Sequence, residues 1–217
     1  MGQKLKLHQN KKIMQLKELL NSKSYNIKNQ KIFKIENLPK DKLYKKFINE
    51  SNGGYFFNNS LLFFGNTAEK NQNNIDYMNE IIEKKYGNIA KDLFFFGMDI
   101  FGNLFAFDKN NNVIFFNVET GDKEIIASNF KDWLKELFND LEYYTGKDFI
   151  SFLSEKQKKE LIKGKRLSPK YPFVLGGDYN KENLVLKDIN EIINFNADIA
   201  KQVYNLPDGS KIKIKIK

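Results

Sequence analysis

Apolar runs separated by short polar turns stand out most clearly between Leu93 and Asn117, LFFFGMDIFGNLFAFDKNNNVIFFN. Three largely apolar runs are separated by Gly102-Asn103 and by Lys109-Asn110-Asn111-Asn112, which predicts three antiparallel strands. With Gly102-Asn103 as a two-residue turn, Phe101 faces Leu104. Phe94, Phe96, Met98 and Ile100 then share a face with Phe105 and Phe107, and Phe95, Gly97, Asp99, Phe101, Leu104, Ala106 and Asp108 take the other. The register predicts one face on the core and one mixed face. Val118–Lys123 reads as a turn, and Glu124–Ala127 as a fourth strand.

Around this meander the spacing changes to that of helices. Residues 10–21 carry Ile13, Leu16 and Leu20 on one face. Asn21–Lys31 reads as a polar connection and Lys31–Ile35 as an edge strand. Leu38-Pro39 opens a helix buried through Leu43, Tyr44, Phe47 and Ile48 and stopped at Asn52-Gly53-Gly54. Tyr55–Phe57 and Leu61–Phe64 form a hairpin across Asn58-Asn59-Ser60. After a loop over 66–74, residues 75–86 form a helix closed by Gly87. Ser128 or Asn129 caps a helix with Phe130, Trp133, Leu134, Leu137, Phe138 and Leu141 at core spacing. Lys147–Lys163 predicts one more helix, apolar at its start and basic at its end. Ile189, Ile192 and Ile193 suggest a short helical turn. Leu206-Pro207-Asp208-Gly209 between apolar segments predicts a C-terminal hairpin over about 199–217, its last strand alternating Lys and Ile. The expected class is α+β, a central antiparallel sheet over 93–127 with packed helices. We expect a single domain over 1–217, with 66–74 and 163–171 the best hinge candidates.

Composition narrows the chemistry. The 217-residue chain is 41% hydrophobic and contains no Cys, which removes disulfides and thiolate chemistry together. It has no apolar run long enough to span a membrane and no secretory signal at its start, so the expectation is a cytoplasmic protein. Lys and Arg outnumber Asp and Glu by 36 to 27, a net charge of +9, which fits an acidic partner. Yet Arg166 is the only arginine, and bidentate phosphate or guanine contacts favour arginine, so a dedicated nucleic-acid reader is disfavoured. The charge also fits plain Lys and Asn enrichment.

His8 is the only histidine, which argues against a Ser-His triad or a histidine-rich metal site. Asp108–Asn112 starts like a calcium loop but lacks its later glycine and glutamate. Asp99 and Asp108 fall diagonally on one sheet face in the register above, a possible acid–base pair with no third group to support it. Gly53-Gly54 and Gly176-Gly177 match neither phosphate-binding nor dinucleotide fingerprints and read as turn and packing glycines. No catalytic, cofactor or metal residue is expected.

The order of segments resembles the SUKH superfamily, the Smi/Knr-type immunity proteins of bacterial polymorphic toxin systems. The resemblance rests on Leu38-Pro39, Asn52-Gly53-Gly54, Leu62–Gly65, Ile100–Asn103 leading into Phe105–Asp108, and Phe130–Leu134. It continues with Pro172–Gly177, Asn183-Leu184, Ile199-Ala200 and Leu206–Gly209. It implies a non-catalytic antitoxin that neutralises a cognate toxin domain by protein–protein interaction. The alternative is a nucleic-acid-binding or regulatory module using the basic surface. Pro39, Gly53, Gly54, Gly102, Asn103, Trp133, Gly176, Gly177, Pro207 and Gly209 are expected to carry the fold. Candidate partner contacts are the loop residues Asn58, Asn59, Asn66, Asn110, Asn111 and Asn112, the aromatics Tyr55 and Tyr179, and Lys165 and Arg166 at the basic helix end. The lysine-rich side calls for an acidic surface on the toxin domain.

Overall fold

The computed structural model describes residues 14–27, 38–207, 209–213 and 215. The expected edge strand Lys31–Ile35, His8 and Asp208 lie outside them. The central element is a seven-stranded sheet in which every strand pairs antiparallel with its neighbours in sequence. Its strands are β1 (Lys23–Tyr25), β2 (Gly54–Phe56), β3 (Leu61–Phe63), β4 (Phe94–Met98), β5 (Leu104–Phe107), β6 (Val113–Phe116) and β7 (Lys123–Ala127). A separate antiparallel pair joins β8 (Lys165–Pro169) to β9 (Leu184–Asp188).

Both faces of the sheet are covered. On one side lie α1 (14–21), α2 (Lys42–Ser51) and α4 (Phe130–Asn139). There Leu16, Tyr44, Phe47, Trp133 and Leu137 pack on Phe63, Phe96, Phe105 and Phe107. On the other lie α3 (Ile75–Tyr86) and α7 (Ile189–Val203), with Met78, Ile82, Ile193 and Ala197 against Leu62, Phe95, Met98, Leu104 and Phe116. A smaller cluster of Ile100, Ile150, Leu153, Leu161 and Leu167 ties the β4–β5 loop to β8. The expectation of one mixed face is therefore corrected: both faces of the sheet are apolar and buried.

The β4–β5 register also differs. Met98 pairs with Leu104, so the loop is the five residues Asp99–Asn103 rather than Gly102-Asn103 alone. A bulge lies between Phe95 and Gly97, and its extra residue flips the alternation. Phe96 shares the face of Phe105 and Phe107 as expected, while Met98 crosses to the α3/α7 face.

Helix boundaries follow their caps. Asp41, not Pro39, starts α2: its carboxylate accepts the N–H groups of Leu43 and Tyr44. Asn52, rather than a glycine, takes the left-handed cap at its end. Asn129 caps α4 as expected, but Leu141 belongs to the following α5 (Leu141–Thr145). The helix expected over Lys147–Lys163 is two pieces, a 3-10 turn Lys147–Phe152 and α6 (Glu155–Leu161), separated by a Ser154/Gln157 capping box. The segment read as a polar connection contains β1, and the hinge candidate 163–171 contains β8.

The first strand of the expected C-terminal hairpin is overturned, and Ile214, Ile216 and Lys217 of the second lie outside the described residues. Residues 199–203 are the last turns of α7, a helix rather than a hairpin strand. The described residues between 211 and 215 form no strand. The helical spacing of Ile189, Ile192, Ile193, Asn196, Ala197, Ala200 and Val203 was masked by Asn196, a polar residue in a buried position.

Candidate binding cleft

Three turns converge beside the end of the sheet. In the first, Asp99 accepts N–H groups from Phe101 and Asn103, both at 2.8 Å, and the Asn103 side-chain amide at 3.0 Å. This brace holds Phe101 half-buried at the cleft wall. In the second, Asn117 Oδ1 accepts from the Glu119 N–H at 2.9 Å and from Thr120 at 3.2 Å. Asn103 Oδ1 joins these two turns by accepting the Val118 N–H at 3.3 Å.

The third turn runs from Pro172 to Tyr179. Pro172 O accepts the N–H groups of Leu175 and Gly177. The Asn183 amide donates to the carbonyls of Tyr171 and Asp178, closing the loop from behind. A Cβ on Gly177 would sit 2.0 Å from Tyr171 O, so only glycine lets the strands of this turn approach so closely. The result is a planar stack: the Phe173 and Tyr179 rings lie 3.7 Å apart at 6°. Phe101 stands edge-on to both, at 6.0 and 5.8 Å.

Between the turns is a cleft of about 250 Å³, lined by Phe101, Asn103, Glu119, Phe173, Tyr179 and Asn196 among others. Glu119 is 4% exposed. Its Oε2 accepts the Val174 N–H at 2.8 Å, tying the second turn to the third. Its Oε1 is buried and has no hydrogen-bond partner among the described residues. Burial raises its pKa above the usual carboxylate value, opposed by the backbone N–H groups of Val174 and Phe173. Burial also pushes the Tyr179 hydroxyl up to about 12, with the negative charges of Glu119 and Asp99 adding to the rise. Glu119 is the one acidic residue lining this cleft, on a chain of net charge +9.

Residues 30–136 match the model of the SMI1 / KNR4 family (SUKH-1). Over these residues, about half of its length, the chain is of the SUKH superfamily. No curated protein matches it. Among solved structures, it is similar to Atu4351 from Agrobacterium tumefaciens, with 20% identity and a TM-score of 0.47 over 79% of this chain and 84% of that one. The SUKH match takes in the turns carrying Asn103 and Glu119. The Phe173–Tyr179 turn and Asn196 lie beyond it.

Of the contacts expected on this SUKH protein, Tyr179 is in the cleft and 58% exposed. Asn58 and Asn59 line a different groove, with Tyr25 and Lys158. Asn110 and Asn111 are in the β5–β6 loop, where Asn111 Oδ1 accepts the Lys40 N–H at 2.9 Å and Asn112 bonds Asp108. The Asn66 N–H donates to Asn52 Oδ1. The expected residues do not form one surface.

Two expectations are corrected by burial. Tyr55 is fully buried, its hydroxyl bonded to Asn73 at 2.8 Å, so it presents no exposed anchor. Arg166 is not at a helix end: it is in β8, fully buried, its guanidinium 5.3 Å from the Tyr55 ring centroid. It therefore offers no charge to a partner's surface. Lys165 remains partly exposed and pairs with Glu160 at 3.4 Å. Glu119, Phe173 and Asn196 were not singled out from sequence. A glutamate in a turn and an asparagine in a helix carry no signature until the turns are brought together.

Among the described residues no cluster of His, Cys, Asp and Glu could hold a metal ion, and no helix is long and apolar enough to cross a membrane.

Proposed function

We propose that this chain is a cytoplasmic immunity protein that binds a cognate toxin domain and blocks it without chemistry of its own. The observation that supports this reading is its SUKH membership. The architecture suits it: a rigid double-faced core holds turns whose side chains face solvent, the arrangement on which recognition is usually built.

The test is co-expression with the variable C-terminal domain of a large secreted protein encoded immediately upstream. The protein should restore growth and co-purify with that domain as a stable complex. A toxic domain that is neither bound nor neutralised overturns the immunity reading.

A further inference from the structure

Glu119 lines the cleft, and its buried Oε1 has no donor among the described residues. Leaving such a group unpaired is costly, and native structures rarely do so without a reason. The Asn103 carbonyl oxygen uses one acceptor site on Val118, over a long 3.3 Å, and retains a second. Asn196 adds a buried amide, at 2% exposure, from α7. The acceptors with room for a further donor are Glu119 Oε1 and the second site of the Asn103 carbonyl.

The remaining wall is aromatic and flat. Phe173 and Tyr179 stack in parallel, and Phe101 closes the side at right angles to them. The cleft volume, about 250 Å³, falls below the roughly 300–1,000 Å³ of pockets that enclose a whole small-molecule ligand. It suits a single long side chain entering from outside.

We infer that this cleft takes an arginine side chain of a protein partner, its guanidinium paired with the Glu119 carboxylate and its plane laid against the Phe173–Tyr179 stack. A guanidinium presents only donors, matching the open acceptors of Glu119 and Asn103, and it stacks on aromatic rings. It is also less strongly hydrated than an ammonium, so it enters a half-closed apolar cleft at lower cost than lysine. The partner's identity as a toxin domain rests on the proposed function. The site itself does not. It reverses the sign expected locally: the partner brings a cation to this cleft, whatever the lysines elsewhere favour.

The experiment begins without any toxin. N-acetyl-arginine methylamide is titrated into the isotopically labelled protein and followed by amide NMR shifts, with the citrulline analogue as its uncharged isostere and the lysine analogue as its ammonium counterpart. Arginine should move the Asn103, Glu119 and Val174 amides, and citrulline should not. No shift with arginine at any soluble concentration, or an equal response to citrulline or lysine, overturns the inference. Glu119→Gln keeps an acceptor for Val174 and should weaken arginine binding roughly tenfold or more, since bonds to charged groups are the strong ones. Tyr179→Ala, at an exposed position, should also weaken it while leaving the spectrum of the core unchanged. Undiminished binding to both variants overturns it. The toxin complex separates the two readings. Equal toxin affinity in wild type and Glu119→Gln removes arginine capture from the complex and leaves immunity standing. A protein that binds the arginine probe but no toxin domain keeps the site and loses the immunity reading.

Discussion

Asp99 and Asp108 brace consecutive hairpin loops in the same way, one buried and the other open to solvent. Each accepts the N–H groups two and four residues ahead, at 2.8 Å, and the side-chain amide of the asparagine four residues ahead. They sit at opposite ends of β5, separated by roughly 17 Å of extended chain. The diagonal acid–base pair expected from sequence is thus two turn braces that never meet. The buried one differs electrostatically. Burial pushes the Asp99 carboxyl up to about 7, against the pull of Asn103, the Phe101 N–H and Arg166.

That shift makes stability fall with rising pH. Folded Asp99 holds its proton up to about 7, whereas its ordinary value is 3.8. Between those values the folded state keeps a proton that the unfolded chain has released. The stabilisation is complete below about pH 4, is lost as pH rises towards 7, and then levels off. The slope contributed is about 1.4 kcal/mol per pH unit. Urea midpoints measured across this window should decline more steeply for wild type than for Asp99→Asn. Parallel curves would show that Asp99 does not titrate there.

Asp41 serves two helices. Its Oδ1 accepts from Leu43 and Tyr44 in α2, and its Oδ2 accepts the Phe130 N–H of α4 at 2.9 Å. Asp41→Ala should cost about 2 kcal/mol in chemical denaturation, the upper end for a cap. Asp41→Asn retains one acceptor and should recover part of the loss.

Trp133 packs against Phe63, Phe96, Phe105 and Phe130. Its indole nitrogen is buried with no hydrogen-bond partner among the described residues. Trp133→Ala should destabilise by about 3–5 kcal/mol through the cavity it leaves. Trp133→Phe forfeits no hydrogen bond and should cost far less. Denaturation midpoints of the two variants give the comparison.

Gly176 and Gly177 hold the aromatic turn for different reasons. At Gly177 an added Cβ meets backbone, so Gly177→Ala should cost about 1–3 kcal/mol and disturb the stack. At Gly176 there is space, but φ is +93°, so alanine should cost about 1–2 kcal/mol through backbone strain alone. Tyr179 ring-current shifts should change in Gly177→Ala and persist in Gly176→Ala.

Where local pattern and tertiary packing agreed, the sequence alone determined the outcome. The hairpin at 54–63, the helix 75–86, the strands of the meander and the Asn129-capped helix are all readable, because period and capping residue act within a few positions of each other. The order of these segments also carried the family. Tertiary structure alone decided the rest. The bulge before Gly97 is invisible in a run of phenylalanines, since every register buries an apolar residue. β8 and β9 exist through pairing with one another rather than through alternation. The Asn196 interruption disguised α7, and Arg166 read as surface because a charged residue is almost never buried. The cleft belongs wholly to this second class. Glu119, Phe173 and Asn196 lie far apart in the chain, and only the folded arrangement of three turns and a helix leaves a carboxylate oxygen unpaired beside a flat aromatic wall.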